Sequence, residues 1–375
     1  MTFVGDAMRG ALAFLLLPLS LVPLYFAVPK IRGGGDVAEP DRAAFDAPAF
    51  TPTDAQLARW QPLPPIRGAV PVLAYHGVNG RGDHYSVTRG QFAEQLAMLK
   101  RAGFESITVA EYVRFLQGTT VNLPQRPILI TFDDGRLDSY RGADRILAEY
   151  GFKATMFVIA GFVEESNSFY LTWDELRRMA SSRRWDLQEH AGAGHVNVRY
   201  DAAGHEGPAY AFRQYQPGRG LESFEAYKER VEHDILWAKR TMSEQLSGFS
   251  PLTFAVPFGS YGQDRTNDPR IPRFMSRLLR RHFQAVFLTD PPQYTTPSTS
   301  RAALGRIELN EDIGTDKLYR WLRDRIPSRR AASGGPVGQP AVEKSKAAKS
   351  SAHDMSGMHD MPGMEASGAA GPASG

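Results

Sequence analysis

Two aspartates, Asp133 and Asp134, stand side by side in "PILITFDDG", directly after an apolar run. Adjacent carboxylates repel each other, and a charge delivered at the end of a buried strand is costly unless it finds a partner. Two histidines, His190 and His195, follow in "EHAGAGH", out of nine in the chain, and a third, His76, closes the apolar run "VPVLAY". One carboxylate oxygen and two imidazole nitrogens make a three-ligand cation site with a position left open. A divalent cation in such a site lowers the pKa of a water to about 7. A second carboxylate beside it can then stay ionised and serve as a general base. One aspartate holding a cation while its neighbour handles a proton is a candidate reason for the pair. Taken singly, these residues have plainer readings. Asp-Asp-Gly suits a helix cap and turn, and His76 could donate a structural hydrogen bond. Their weight comes from where the elements carrying them end.

Short apolar runs alternate with helical patterns. The runs at 70–76, 104–108, 127–132, 154–159, 185–188, 252–256 and 285–289 predict strands. Between them, Thr88 with Gln91, Thr108 with Glu111 and Thr172 with Glu175 have the spacing of capping boxes. Tyr227, Val231, Ile235, Ala238 and Met242 form a helical apolar stripe. Strand-helix alternation repeated about seven times predicts an α/β fold with parallel strands covered by helices. If the sheet closes as a barrel, working residues sit at the C-terminal ends of its strands. His76 follows the first run, Asp133 and Asp134 the third, Glu189, His190 and His195 the fifth, and Pro257, Phe258 and Gly259 the sixth. Imidazoles and carboxylates thus collect on one face.

The chain has 375 residues, 42% of them hydrophobic, enough for a sizeable core. Its net charge of +3 is too small to argue for nucleic acid, and the absence of cysteine excludes disulfides, thiolate metal sites and a cysteine nucleophile. Residues 10–29 carry no charge. About 20 apolar residues can span a bilayer, so residues 1–30 read as a membrane signal-anchor, with a cleaved signal peptide as the rival. Either one sends the rest of the chain out of the cytoplasm. Residues 31–67, rich in glycine and proline, read as a linker, and 68–328 as one catalytic domain. Residues 329–375, poor in large apolar side chains, read as a disordered tail. That tail holds "HDMSGMHDMPGM", whose imidazole and thioether groups suit an accessory copper ion.

"ITFDDG", the later histidine pair and "PFGSYG" together resemble the polysaccharide deacetylase family, carbohydrate esterase family 4. "PVLAYHGV" and "LKRAGFESITVAEYVRFLQG" resemble the branch that includes deacetylases of exported poly-N-acetylglucosamine. The likeness covers about residues 68–327. It implies a distorted (β/α)7 barrel and hydrolysis of N-acetyl groups on a glycan. It also implies a metal held by Asp134, His190 and His195, with Asp133 as general base. His76 holds the place of the branch's general acid, and the backbone after Pro257, near Phe258, would steady the oxyanion.

Three departures from the family pattern matter. The histidines are five apart rather than four, which on a helix would splay them by about 140°, so a loop through "AGAG" must bring them together. The neighbouring Glu189 is an alternative ligand. Ala255 stands where an arginine is usual, which makes Arg306 in "LGRIEL" the candidate to orient Asp133. The late Leu-x-His motif is missing, which is why His76 takes the acid role. Zinc suits the N,N,O ligand set, and nickel, cobalt or iron would fit it too. Two rival functions use the same residues: a non-haem iron oxygenase built on the two histidines and one carboxylate, and a glycan-binding protein on a decayed barrel. The insert 196–220, with "AYAFRQYQPGRG", reads either as a wall that stacks sugars and meets anionic groups or as a solvated loop.

Overall fold

Several of the helices that cover the sheet start at threonine caps or stop at left-handed glycines. In the computed structural model, helix α1 spans Asp54–Arg59, α2 Arg89–Ala102, α3 Val109–Leu116, α4 Leu137–Tyr150, α5 Trp173–Ser181, α6 Phe224–Gln245, α7 Ile271–His282 and α8 Thr315–Asp324. Thr108 and Thr172 close reciprocal capping boxes with Glu111 and Glu175. Thr88 caps α2 through the Gln91 N–H alone. The Gln91 amide instead donates to the carbonyls of Asn310, Glu311 and Ile313, tying α2 to the chain that leads into α8. Gly103 and Gly151 end α2 and α4 in left-handed conformations. The stripe Tyr227, Val231, Ile235, Ala238 and Met242 is the buried face of α6.

The described residues are 50–163, 169–247, 249–291 and 293–327. Residues 1–30, read as a membrane segment, the start of the linker and the histidine- and methionine-bearing tail lie outside them. Among the described residues no helix is long and apolar enough to cross a membrane.

The sheet is an α/β half-barrel of mostly parallel strands. Strands β1 (Val70–Tyr75), β2 (Pro127–Phe132), β3 (Ala154–Ile159), β4 (Trp185–Ala191), β5 (Thr253–Ala255) and β6 (Ala285–Phe287) lie side by side in chain order, all parallel. The run at 104–108 supplies only the two-residue piece Glu105–Ser106 beside β2. A two-residue strand that the sequence pattern did not predict, β7 (Ile307–Glu308), pairs with β1. Three residues earlier, Leu304 bridges Phe287 at the end of β6. The segment 304–308 therefore touches both outer strands of the row and carries Arg306 between them.

The strand alternation sorts side chains into two compartments. Ile128, Ile130 and Phe132 of β2 face the covering helices, while Leu129 packs with Val70, Val72, Phe157, Ala255 and Phe287 on the inner side. Helix α3 adds Tyr112 and Val113 to that inner cluster. Continuing the same alternation, Thr131 and Asp133 face inward above Leu129. Residues 53–66, expected as linker, join the fold: Thr53 and Gln56 form a further capping box at α1, and Trp60, Leu63 and Ile66 are buried in the main core. Burying one such side chain contributes roughly 1.5–3 kcal/mol. The Trp60 indole N–H also donates to Asp316 at 2.8 Å. In the same layer, α4 lies directly on the segment after β1. A Cβ at Gly142 would overlap the Val78 carbonyl oxygen.

Candidate active site

Asp133 is the next inward position after Leu129 and Thr131, so strand geometry alone aims it at the centre of the half-barrel. Its N–H donates to the Tyr75 carbonyl at 2.9 Å, holding the end of β2 to the end of β1. Its partner comes from 173 residues later. Both terminal nitrogens of Arg306 donate to the two Asp133 oxygens, at 2.7 and 2.6 Å. Arg306 also reaches the Thr131 hydroxyl at 3.2 Å and lies over the Phe157 and Phe287 rings. Both partners of the pair are almost fully buried. Burial by itself would raise the Asp133 carboxyl. The Arg306 guanidinium, with His190 and His76 in lesser parts, more than offsets that and holds it below the usual carboxylate range.

Asp134 turns away from Asp133 because the chain enters a left-handed conformation there, with φ 73°. Aspartate tolerates this better than most residues. The turn points Asp134 at the two histidines: its Oδ1 lies 3.4 Å from His190 Nε2 and 3.5 Å from His195 Nε2. Among the described residues these three form the one group of histidine and acidic side chains whose ligand atoms all lie within 4.8 Å of one another. His190 Nδ1 pairs with the Ala255 carbonyl at 2.8 Å. That bond places the proton on Nδ1 and leaves the Nε2 lone pair facing Asp134, the arrangement seen in metal-ligating histidines.

Three observations fit the group to a cation. Asp134 Oδ1 is buried without a hydrogen-bond partner. Its carboxylate faces two imidazoles and, unlike Asp133, is not paired with Arg306. The two histidines shift in opposite directions. Burial would lower the His190 imidazole, but Asp133 and Asp134 outweigh it and raise it. Burial pushes His195 down to about 4, against the pull of Asp134. For Asp134, the histidines overcome burial and hold the carboxyl far below its usual range. A doubly charged ion bound by one carboxylate and two neutral imidazoles would satisfy all three side chains.

His190 owes its direction to an irregularity. Val158 pairs with Glu189 and Ile159 with Ala191, so His190 is an extra residue in β4. Such bulges re-aim side chains next to active sites. Glu189, weighed above as an alternative ligand, lies outside the group. It is buried on the far side of the strand, toward Lys239 and Asp234, and burial raises its carboxyl well above the ordinary value.

His76 ends β1 with its Nδ1 4.0 Å from a Glu308 oxygen, and its backbone carbonyl accepts from the Ser139 hydroxyl. Phe258 sits in the turn Pro257–Gly259 with φ 56°, a strained conformation for a side-chain-bearing residue, and its ring lies 4.3 Å from that of His195. The insert departs from its predicted role. Tyr210 and Phe212 are buried, Tyr200 stacks on Phe212, and Arg213 is bound by Asp268 and the Glu222 carbonyl. Tyr200 and Phe212 belong to a small core within the insert and Tyr210 packs into the core under α6, rather than forming a sugar-stacking wall.

Comparison with known proteins gives the class to which this half-barrel and its strand-end cluster belong. The polysaccharide deacetylase family profile matches residues 120–269. A poly-β-1,6-N-acetyl-D-glucosamine N-deacetylase of Staphylococcus aureus (strain MSSA476) is 32% identical over 241 residues, 64% of this chain and 72% of that protein. The enzyme of that name from Escherichia coli (strain K12) is 24% identical over 188 residues, 46% of this chain but only 28% of that much longer protein. Among solved structures, a de-N-acetylase from Aggregatibacter actinomycetemcomitans shares the fold, with TM-score 0.59 and 20% identity over 68% of this chain and 99% of its own. IcaB from Ammonifex degensii aligns with TM-score 0.53 and 25% identity over 68% of this chain and 97% of its own. The chain belongs to the polysaccharide deacetylase family. Within it, its likeness is to the poly-N-acetylglucosamine deacetylase branch.

Proposed function

We propose that this protein removes N-acetyl groups from a β-1,6-linked N-acetylglucosamine polymer, using a divalent cation held by Asp134, His190 and His195. The observation that carries it is the convergence of those three side chains beside the buried Asp133–Arg306 pair. When bound, the cation supplies a Lewis acid that acidifies water and polarises the acetamide carbonyl. The protein's own groups do the rest. Asp133 takes the proton of the attacking water. Arg306 occupies one face of each Asp133 oxygen, which keeps the carboxylate ionised and stops it from displacing Asp134 as a ligand, while the remaining lone pairs stay open to a proton. The backbone N–H at Phe258 steadies the oxyanion. His76 gives a proton to the departing nitrogen. One water is consumed, the amide C–N bond breaks, and acetate and a glucosamine amine leave.

Zinc is the ion we propose, because its preferred site is a four-coordinate N/O set with one open position. We place the catalytic domain outside the cytoplasm, reached through residues 1–30 as anchor or signal. The test is acetate release from N-acetylated β-1,6-glucosamine oligomers. Release should stop with chelator and return with added zinc. Full release in chelator, or none from any N-acetylated glycan with zinc present, refutes the proposal.

A further inference from the structure

His190 and His195 are five residues apart, and no regular structure would bring them to one side. Continuing the strand from His190 would send the two rings to opposite faces, and a helix would diverge them by about 140°. The bend between them is held from helix α6. The Asp234 carboxylate accepts the Gly192 N–H at 3.0 Å, the Ala193 N–H at 2.7 Å and the Gly194 N–H at 3.2 Å. The Tyr210 hydroxyl donates to the same carboxylate. From the other side, the Ala160 and Gly161 N–H groups hold the carbonyls of Ala191 and Gly192. The fit depends on missing side chains: a Cβ at Gly192 would stand 2.6 Å from Asp234 Oδ1, and one at Gly194 would overlap the Tyr210 ring.

We propose that Asp234 is the positioning residue of the cation site, binding three successive backbone N–H groups so that His195 swings back beside His190 and Asp134. The inference rests on the reading of those three residues as one cation site. Asp234 touches neither ligand atom nor substrate; it acts through the backbone of residues 192–194. Residues that orient ligands in this way typically cost about 10–100-fold in metal affinity when changed.

The experiment measures zinc affinity of the full chain by competition with a chromophoric chelator. Asp234→Asn keeps size but turns one acceptor oxygen into a donor facing N–H groups. Its zinc dissociation constant should rise about tenfold or more. Asp268→Asn, which alters a carboxylate away from the site, should leave zinc affinity unchanged. Should Asp234→Asn not be recovered folded, Asp234→Glu keeps the charge but displaces the carboxylate from the three backbone N–H groups; a rise of about threefold is expected, scaled from the same range. Wild-type affinity in whichever variant is measured overturns the inference while leaving the site reading intact. A wild-type chain that binds no zinc sinks both together.

Discussion

Two arginine–carboxylate assemblies of this molecule differ in depth and reach. Arg306 and Asp133 meet at the centre of the half-barrel, both nearly devoid of solvent contact, across 173 residues of sequence. Asp268, by contrast, takes Arg270 two residues away, and Arg213 from the insert. Asp268 is buried, but Arg270 is 59% exposed. The outer assembly staples a loop to the insert, with one of its two arginines in water. The inner pair removes two charges from water entirely, and a hydrophobic pair of equal volume would commonly be as stable or more so. Its presence is better explained by chemistry than by stability: it delivers an ionised carboxylate 1 residue from the proposed ligand Asp134.

If that contrast is right, substitutions in the two assemblies should separate rate from stability. The largest effect belongs to Asp133→Asn, which should lower kcat for acetate release by about 10³-fold, within the range for losing a general base, with zinc content by elemental analysis unchanged. Full activity in this variant would remove Asp133 from the mechanism. Next, Arg306→Met leaves Asp133 buried and unpaired, so urea unfolding should show a loss of about 3–5 kcal/mol. A protein as stable as wild type would mean that the inner pair contributes little to the fold.

Asp268→Asn should cost only on the order of 1 kcal/mol, discounted for the exposed Arg270, and leave kcat/KM within about twofold. A large drop in rate would erase the distinction between the assemblies. The smallest effect is its pH dependence. Hydrogen bonds from Arg270 hold the Asp268 carboxyl at about 2, below its ordinary 3.8. A depressed folded-state pKa stabilises above the unfolded value. The difference between wild type and Asp268→Asn should therefore be complete above pH 4 and vanish as pH falls through 2. A difference that persists below pH 2 would assign the stabilisation to packing instead.

Much of the centre was legible because it follows from alternation. Leu129, Thr131 and Asp133 occupy successive inward positions of one strand, and the apolar stripe of α6 is the buried face. What escaped notice did so for local reasons. Strand β7 has two residues, too few for any hydrophobic period, although Arg306 directly before it was identified from the missing arginine at Ala255. Residues 53–66 were masked by prolines, yet Thr53–Gln56 has capping-box spacing and Trp60, Leu63 and Ile66 recur every three residues. The bulge at His190 leaves no mark in a single sequence, since it depends on the register of a neighbouring strand. The hold of Asp234 on residues 192–194 joins helix α6 to a loop some forty residues earlier, beyond any pattern of spacing.

Gly142 offers a diagnostic for relatives. Because the α4 backbone rests against the Val78 carbonyl, the turn bearing His76 and the helix that begins just after Asp134 travel as one solid piece. Any side chain at position 142 would have to push the two apart and shift the backbone beside His76. If His76 is the proton donor proposed above, its placement is tied to that of the helix.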